Sequence, residues 1–230
     1  MSSKLIVALD FDNQNEALNL VDKLDPATCA LKVGSEMFTL FGAYFVTSLI
    51  KRQFKVFLDL KFHDIPNTVA KACQACADLG IWMINVHAVG GFKMMQAARK
   101  AIEANGNERP LLIAVTVLTS FTEEDLMSVG VNHSILEQVR SLASLARDAG
   151  LDGVVSSAHE IKTIKQECGS EFITVTPGIR LSNNSKDDQS RVMTPKQAIK
   201  EGSSYLVVGR PITQAINPAA VVSEIINDIS

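Results

Sequence analysis

Short apolar segments alternate along the chain with longer segments whose apolar positions repeat at helical spacing. The apolar segments cover residues 4–9, 30–33, 56–60, 83–86, 111–117, 153–156, 172–176 and 205–208. Several are almost continuously apolar, which is typical of parallel strands covered on both faces. Helical spacing is seen in residues 15–24, 68–79, 135–149 and 218–229, with Gly80 and Gly150 placed where helices end. The pattern predicts about eight consecutive β-then-α units.

These units predict an α/β protein with the (β/α)8 TIM-barrel fold, which routinely forms from a chain of this length. An open, doubly wound sheet is the alternative, but that fold normally has a glycine-rich turn after its first strand. Here the first strand ends in Leu9-Asp10-Phe11-Asp12. No linker rich in proline, glycine or serine interrupts the sequence, so we expect residues 1–230 to form a single domain.

Composition and charge narrow the class of protein. The chain has 22 lysine and arginine residues against 25 aspartate and glutamate residues, and 47% of its residues are hydrophobic. This predicts a soluble globular protein that can bury a full core. Without a long basic run we expect no binding to nucleic acid, and any phosphate recognition should be local. The apolar run near the amino terminus is too short for a signal peptide or a membrane span, so we expect a cytoplasmic protein with no membrane partner.

The cysteines are expected to be reduced thiols of the core. There are four, at positions 29, 73, 76 and 168, and three of them lie in segments that are predicted to be buried. Cys73 and Cys76 have the spacing of a redox or zinc pair, but they lie in a helical pattern without a second pair or a histidine cluster. A metal role for them is therefore disfavoured.

Three charged residues lie within six positions at the end of the third apolar segment and just beyond it. Asp59 and Lys61 are two positions apart and share one face of a strand, while Asp64 falls in the loop beyond. Alternating carboxylate and ammonium groups would create a strong local field. A solvated strand end is the simpler interpretation of this motif alone, because charge runs usually face water.

Polar residues also end most of the other apolar segments, and in a barrel these ends meet at the catalytic face. They include Asp10, Lys32, His87, Thr119, Ser120, Pro177, Arg180, Gly209 and Arg210. Singly, Asp10 and Thr119 suit helix caps, and His87 suits a hydrogen-bonded core histidine. Their common location instead predicts one site.

The last two strands are followed by features of a phosphate site. Barrels commonly bind phosphate there through backbone N–H groups and a basic side chain. Gly209 would let the backbone approach an anion, and Arg210 would supply a planar fork of donors. The polar segment 180–191 is a candidate mobile lid, from which Arg180 or Gln189 would close over the phosphate. A phosphorylated small molecule is therefore the expected ligand.

The chain resembles the orotidine 5′-phosphate decarboxylases, in their short bacterial single-domain form, from residue 4 to about residue 210. The resemblance rests on Asp59-Leu-Lys61-Phe-His-Asp64-Ile-Pro-Asn-Thr68, Thr176-Pro-Gly-Ile-Arg180 and Val208-Gly-Arg210. The ten-residue segment is highly specific, whereas its shorter core is shared with related barrel enzymes that act on sugar phosphates.

The resemblance implies a decarboxylase that uses neither cofactor nor metal and converts orotidine 5′-phosphate to uridine 5′-phosphate, the last step of de novo pyrimidine biosynthesis. Lys61 would donate the proton to C6 of the pyrimidine. Lys32, Asp59 and Asp64 would complete an alternating charged tetrad. Asp64 and Thr68 would reach into the site of a partner subunit, which makes a homodimer necessary.

The same resemblance assigns the substrate-binding residues. Asp10 would hold the ribose hydroxyls, and Thr119 and Ser120 would lie near the pyrimidine. The phosphate would be held by Arg180, Gln189, Gly209 and Arg210, with Pro177 in the adjoining strand-seven segment.

The residue chemistry agrees with this reaction, because loss of CO₂ from a ring carbon leaves a localised carbanion that needs fixed electrostatic stabilisation and a proton. Two alternatives remain open. One is a Mg²⁺-dependent sugar-phosphate decarboxylase or aldolase in which Asp59 helps to bind the metal. The other is a nucleotide-binding protein that performs no chemistry.

Overall fold

The computed structural model describes residues 3–181 and 193–229. Its strands are β1 (Leu5–Leu9), β2 (Ala30–Gly34), β3 (Val56–Phe62), β4 (Met83–His87), β5 (Leu111–Val115), β6 (Gly153–Val155), β7 (Ile173–Thr176) and β8 (Tyr205–Val208). Each strand pairs in parallel with its neighbour in the chain, and β8 pairs with β1. The predicted (β/α)8 TIM barrel is therefore confirmed, and the open sheet is wrong.

Helices surround the barrel. They are α1 (Gln14–Val21), α2 (Ser35–Lys51), α3 (Pro66–Asp78), α4 (Gly91–Glu103), α5 (Glu123–Ser128), α6 (Ile135–Asp148), α7 (Ile161–Cys168), α8 (Pro195–Lys200), α9 (Arg210–Thr213) and α10 (Pro218–Asp228). Gly80 and Gly150 follow α3 and α6 with φ angles of +77° and +84°, as expected for residues that end a helix. No helix among the described residues is long and apolar enough to cross a membrane.

Side chains of the strands form two apolar layers. The outward positions pack against the helices, and the inward positions fill the barrel with Ile6, Ala8, Ala30, Phe57, Met83, Ile113, Val175 and Val207. Two positions further along β1 to β4, the inward residue becomes polar or charged: Asp10, Lys32, Asp59 and Asn85. Because strand side chains alternate with a period of two, the apolar plug supports a polar layer at the carboxyl ends of the strands.

One strand departs from regular pairing. Leu58 of β3 pairs with Ile84 of β4, and Phe62 pairs with Val86. Three residues of β3 therefore lie opposite the single residue Asn85. This β-bulge extends β3 two residues beyond its predicted end and bends it at the catalytic face.

The four cysteines carry free thiols, and Cys29, Cys73 and Cys76 are buried. Burial raises the pKa of Cys73 to about 12 and that of Cys76 to about 11, so both are protonated at neutral pH. Within the described residues no group of three or more His, Cys, Asp or Glu side chains is arranged to hold a metal ion.

At the amino end of the barrel, Asp152 joins the loops that precede β5 and β6. Its carboxylate accepts two hydrogen bonds of 2.8 Å from the guanidinium of Arg109. It also accepts one of 2.8 Å from the backbone N–H of Leu112 and weaker ones of 3.3 and 3.4 Å from Arg99. The Asp152 carboxylate, which is only 15% exposed, thus binds two guanidinium groups and one backbone N–H near the start of β5.

We predict that Asp152→Ala lowers the free energy of unfolding by about 2–4 kcal/mol, because the poorly solvated Arg109 guanidinium loses its carboxylate partner and Arg99 is left with the more exposed Glu103. Asp148→Ala removes an exposed ion pair with Arg147 and should cost less than about 1 kcal/mol. Urea denaturation of both variants checks the difference. Equal midpoints would contradict a structural role for the Asp152 contacts.

Candidate active site

A cavity of about 300 Å³ opens at the carboxyl ends of the strands. Its floor is apolar and includes Phe57, Val175 and Val207 from the barrel interior. Its polar wall is formed by Asp10, Lys32, Asp59, Lys61, Thr119, Pro177, Gly178, Arg180, Gly209 and Arg210. The structure thus collects residues from six of the strand ends around one space, as the strand-end pattern predicted.

On the side of β1 to β3, four charged side chains of alternating sign are in contact. Lys32 Nζ lies 3.4 Å from Asp10 Oδ1 and 3.5 Å from Asp59 Oδ2, and Lys61 Nζ lies 2.8 Å from Asp59 Oδ1. The Asp59 and Lys32 side chains are only 14% and 13% exposed, whereas Asp10 is 65% exposed. The solvated strand end considered from the motif alone is therefore wrong for Asp59.

The Asp59 carboxylate is ionised in spite of its burial. Burial by itself would raise the pKa of Asp59, but the charges of Lys32 and Lys61 and the hydrogen bonds from Lys61 and Asn85 outweigh that effect. Together they hold the pKa of the carboxyl below its ordinary value. At neutral pH the cavity therefore contains a fixed negative charge between two ammonium groups.

Asn85 of β4 lies behind this network and is fully buried. Its amide nitrogen donates to Asp59 Oδ1 at 2.6 Å, and its amide oxygen accepts from the backbone N–H of Lys61 at 2.8 Å. Lys61 has a φ of +52°, in the left-handed region that a lysine rarely adopts. One amide thus contacts both charged residues of the bulge.

The part of the cavity formed by the ends of β7 and β8 carries two arginines. Arg180 follows β7, and its backbone N–H donates to the carbonyl of Met193 at 3.1 Å. Arg210 begins the short helix α9 directly after Gly209 and β8. The ends of β7 and β8 thus carry two guanidinium groups, a glycine at which the backbone can approach a ligand, and the start of a helix. Together these features form a surface suited to a phosphate.

Only some of the other predicted site residues line the cavity. Thr119 and Pro177 line the cavity, but Ser120 is exposed and is not part of its wall. Asp64 and Thr68 are exposed at the start of α3 and also lie outside the wall. Gln189 and most of the segment 180–191 lie outside the described residues.

His87 at the end of β4 does not line the charged cavity. It lines a neighbouring, mainly apolar cavity of about 380 Å³ together with Thr116, Phe121 and Leu142. Burial lowers its pKa, and His63, whose ring centroid is 5.8 Å away, and Lys61 lower it further. His87 therefore does not join the other strand-end residues in the wall of the charged cavity, and its lowered pKa favours a neutral imidazole in this partly buried position.

Two features of the site did not emerge from the sequence. The contact of Asp10 with Lys32 extends the charged chain to β1, and only the pairing of β1 with β2 brings these residues together. Asn85 had a weak signal, since it is the single amide within the apolar run Met83-Ile84-Asn85-Val86. A lone polar residue in a buried strand needs a partner, but the sequence does not name it.

Comparison with known proteins agrees with this geometry. Residues 3–225 match the model of the orotidine 5′-phosphate decarboxylase / HUMPS family. The chain is 70% identical to an orotidine 5′-phosphate decarboxylase of Legionella pneumophila (strain Paris), over 100% of both chains. It is 59% identical to that of Vibrio parahaemolyticus, over 98% of this chain and 97% of the relative.

A solved structure shows the same likeness. The crystal structure of orotidine 5′-phosphate decarboxylase from Lactobacillus acidophilus superimposes with a TM-score of 0.89 at 39% sequence identity, covering 99% of both chains. Barrel, charged network and relatives lead to one conclusion: the chain belongs to the orotidine 5′-phosphate decarboxylase / HUMPS family.

Proposed function

We propose that this protein is a decarboxylase that converts orotidine 5′-phosphate to uridine 5′-phosphate, the final step of de novo pyrimidine biosynthesis. The family match and the named relatives support this activity. The observation that carries it is the Asp59 carboxylate held between the Lys32 and Lys61 ammonium groups in the wall of a cavity that two arginines also line.

The charged network suits the chemistry of the pyrimidine. When CO₂ leaves C6, the bonding electron pair remains on carbon, and Lys61 is placed to stabilise that charge and then donate a proton to it. A substrate carboxylate about 4 Å from Asp59 would be destabilised by about 4 kcal/mol at an effective dielectric of about 20. This repulsion ends as CO₂ departs, and we assign it a secondary part because the two lysines reduce it.

The arginines suit the phosphate. Arg210 and Gly209 after β8, with Arg180 after β7, provide the cationic surface of the same cavity, whose floor is apolar. Binding energy from a group remote from C6 then positions the ring against Lys61. In the same scheme Asp10 binds the ribose, Thr119 and Ser120 lie near the pyrimidine, and Pro177 and Gln189 complete the substrate site.

The catalytic unit is proposed to be a cytoplasmic homodimer of single-domain subunits. Asp64 and Thr68 are exposed at the start of α3 and do not line their own cavity, which leaves them available to a second subunit. The adjacent Ile65 is an apolar side chain that is 67% exposed, as expected of a residue that another subunit covers.

A magnesium-dependent reaction on the same barrel is the second candidate, and the site supports it less well. The two carboxylates of the cavity wall, Asp10 and Asp59, both contact the Lys32 ammonium. A protein cation thus occupies the position between them that a divalent metal would need. The proposed reaction accordingly needs neither metal nor cofactor.

Lys61→Ala should lower kcat by at least about 10³-fold, because it removes both the proton donor and a positive charge at C6. The assay follows the conversion of orotidine 5′-phosphate by its absorbance, with excess EDTA present. Lys23→Ala, at an exposed lysine of the loop after α1, is the matched control and should keep full activity. No conversion by the wild-type protein in EDTA, but conversion with Mg²⁺, would favour the second candidate.

Arg210→Ala should raise KM by about 10- to 100-fold, because it removes a charge-assisted contact with the phosphate. It should also lower kcat by about tenfold, because remote binding energy no longer positions the ring. Arg52→Ala, at an exposed arginine after α2, serves as the control. A change in KM alone, with an unchanged single-turnover rate, would show that phosphate binding does not assist the chemical step.

A mixture of inactive Lys61→Ala and Asp64→Ala subunits should regain about a quarter of wild-type activity, since half the dimers are then mixed and each has one intact site. The control is a mixture of Lys61→Ala with Asp59→Ala, whose defects both lie in the cavity of their own subunit. It should remain inactive. Equal activity of the two mixtures would mean that Asp64 does not act across the interface.

A further inference from the structure

We infer that Asn85 is the positioning residue of this site: its buried side-chain amide fixes the Asp59 carboxylate and the Lys61 backbone relative to each other through the bulge in β3. The inference deepens the proposed function, on which it rests for the roles of Asp59 and Lys61. It assigns a role to a residue that does not line the substrate cavity.

The backbone geometry creates the need for such a residue. Between the Leu58–Ile84 pair and the Phe62–Val86 pair, β3 has three residues and β4 has one. A backbone ladder cannot satisfy all the N–H groups of the longer strand across this gap. The N–H of Lys61 lies within the gap and instead donates to the side-chain oxygen of Asn85 at 2.8 Å. The side chain thus replaces a hydrogen bond that the strand pairing has lost.

The same contact maintains an unfavourable backbone conformation. Lys61 has a φ of +52°, in the left-handed region that is unfavourable for a residue with a side chain. Such a conformation persists only where neighbouring contacts stabilise it. Here it allows Asp59 and Lys61 to face the same cavity while β3 bends away from its regular path. The hydrogen bond to Asn85 is therefore placed to hold the lysine at the reacting carbon.

The other half of the amide acts on Asp59. Its N–H group donates to Oδ1 at 2.6 Å, the same oxygen that Lys61 Nζ contacts at 2.8 Å. Lys32 contacts the other oxygen at 3.5 Å, so the carboxylate is fixed from three strands. An amide donor is suited to this position, because it stabilises the anion without adding a charge that would compete with the lysines.

The amide has two separable functions, and two variants distinguish them. Asn85→Ala removes both the donor to Asp59 and the acceptor for Lys61. Asn85→Asp keeps the size and the acceptor but replaces the donor with a carboxyl, which repels Asp59 whenever it is ionised. Thr174→Val is the matched control, because Thr174 is a fully buried strand residue with hydrogen bonds to Gly202 and Ser204 that are remote from the cavity.

Asn85→Ala should lower kcat by about 10²-fold, as expected when a catalytic group is misplaced. Because the amide does not line the substrate cavity, KM should change by less than about threefold. The acid limb of the kcat profile should move to higher pH, since Asp59 loses a hydrogen bond that favours its ionised form. The groups that face Asp59 in this titration are Lys32, Lys61 and His87.

Asn85→Asp should show the opposite pH dependence, with kcat falling relative to wild type as pH rises and the introduced carboxyl ionises. Thr174→Val should lower the unfolding midpoint and leave kcat, KM and the acid limb unchanged. If Asn85→Ala does not fold, the pH profile of Asn85→Asp decides the question, and a profile identical to that of wild type overturns the inference.

An NMR titration of the Asp59 carboxyl carbon needs no substrate and separates this inference from the proposed function. In Asn85→Ala the pKa of Asp59 should rise relative to wild type, whereas in Thr174→Val it should not. This result supports the inference even if the wild-type protein fails to decarboxylate orotidine 5′-phosphate, a failure that would overturn only the proposed function. An unchanged Asp59 titration in Asn85→Ala would overturn the inference.

Discussion

The contact of the Asp59 carboxylate with two ammonium groups is the interaction on which the site depends. A carboxylate that is 14% exposed loses most of its hydration, and the loss costs several kcal/mol unless charges and hydrogen bonds replace the water. The replacement comes from three strands: Lys32 on β2, Lys61 on β3 and Asn85 on β4. The site thus exists only in the closed barrel, where these strands are neighbours.

In the barrel, the side chains that form the charged network are different from those that stabilise the fold. Its interior is filled by apolar side chains such as Phe57 and Val207, which form the floor of the cavity. Below that layer, Asp152 joins helix α4 and the loop before β5 through Arg99 and Arg109. Above it, the charged network faces the cavity. An apolar layer next to the network also lowers the local dielectric and so strengthens the field between the lysines and Asp59.

Much of the fold and part of the site follow from the sequence. The eight apolar segments predicted the strands to within two residues at each end, because continuous apolar runs between amphipathic helices have few other arrangements. The strand-end pattern also predicted that Asp10, Lys32, Asp59, Lys61 and Arg210 share one space, and the structure confirms that they line one cavity. Ser120 was predicted by the same pattern but lies outside the cavity wall, and Gln189, predicted from the polar segment 180–191, lies outside the described residues. Asp64 and Thr68 owed their assignment across a subunit interface to the family resemblance. The roles of all these residues in binding and catalysis remain predictions.

What the sequence determined by itself is periodicity: which positions are apolar, which are charged, and on which face of a strand each one lies. The tertiary structure decided the contacts. The bulge opposite Asn85, the left-handed conformation of Lys61 and the contact between Asp10 and Lys32 all depend on the register between strands that are 20 or more residues apart in the chain. Periodicity is a local property of one segment, whereas register is set by the packing of all eight strands around a closed barrel, and only that packing fixes the distances between the charges.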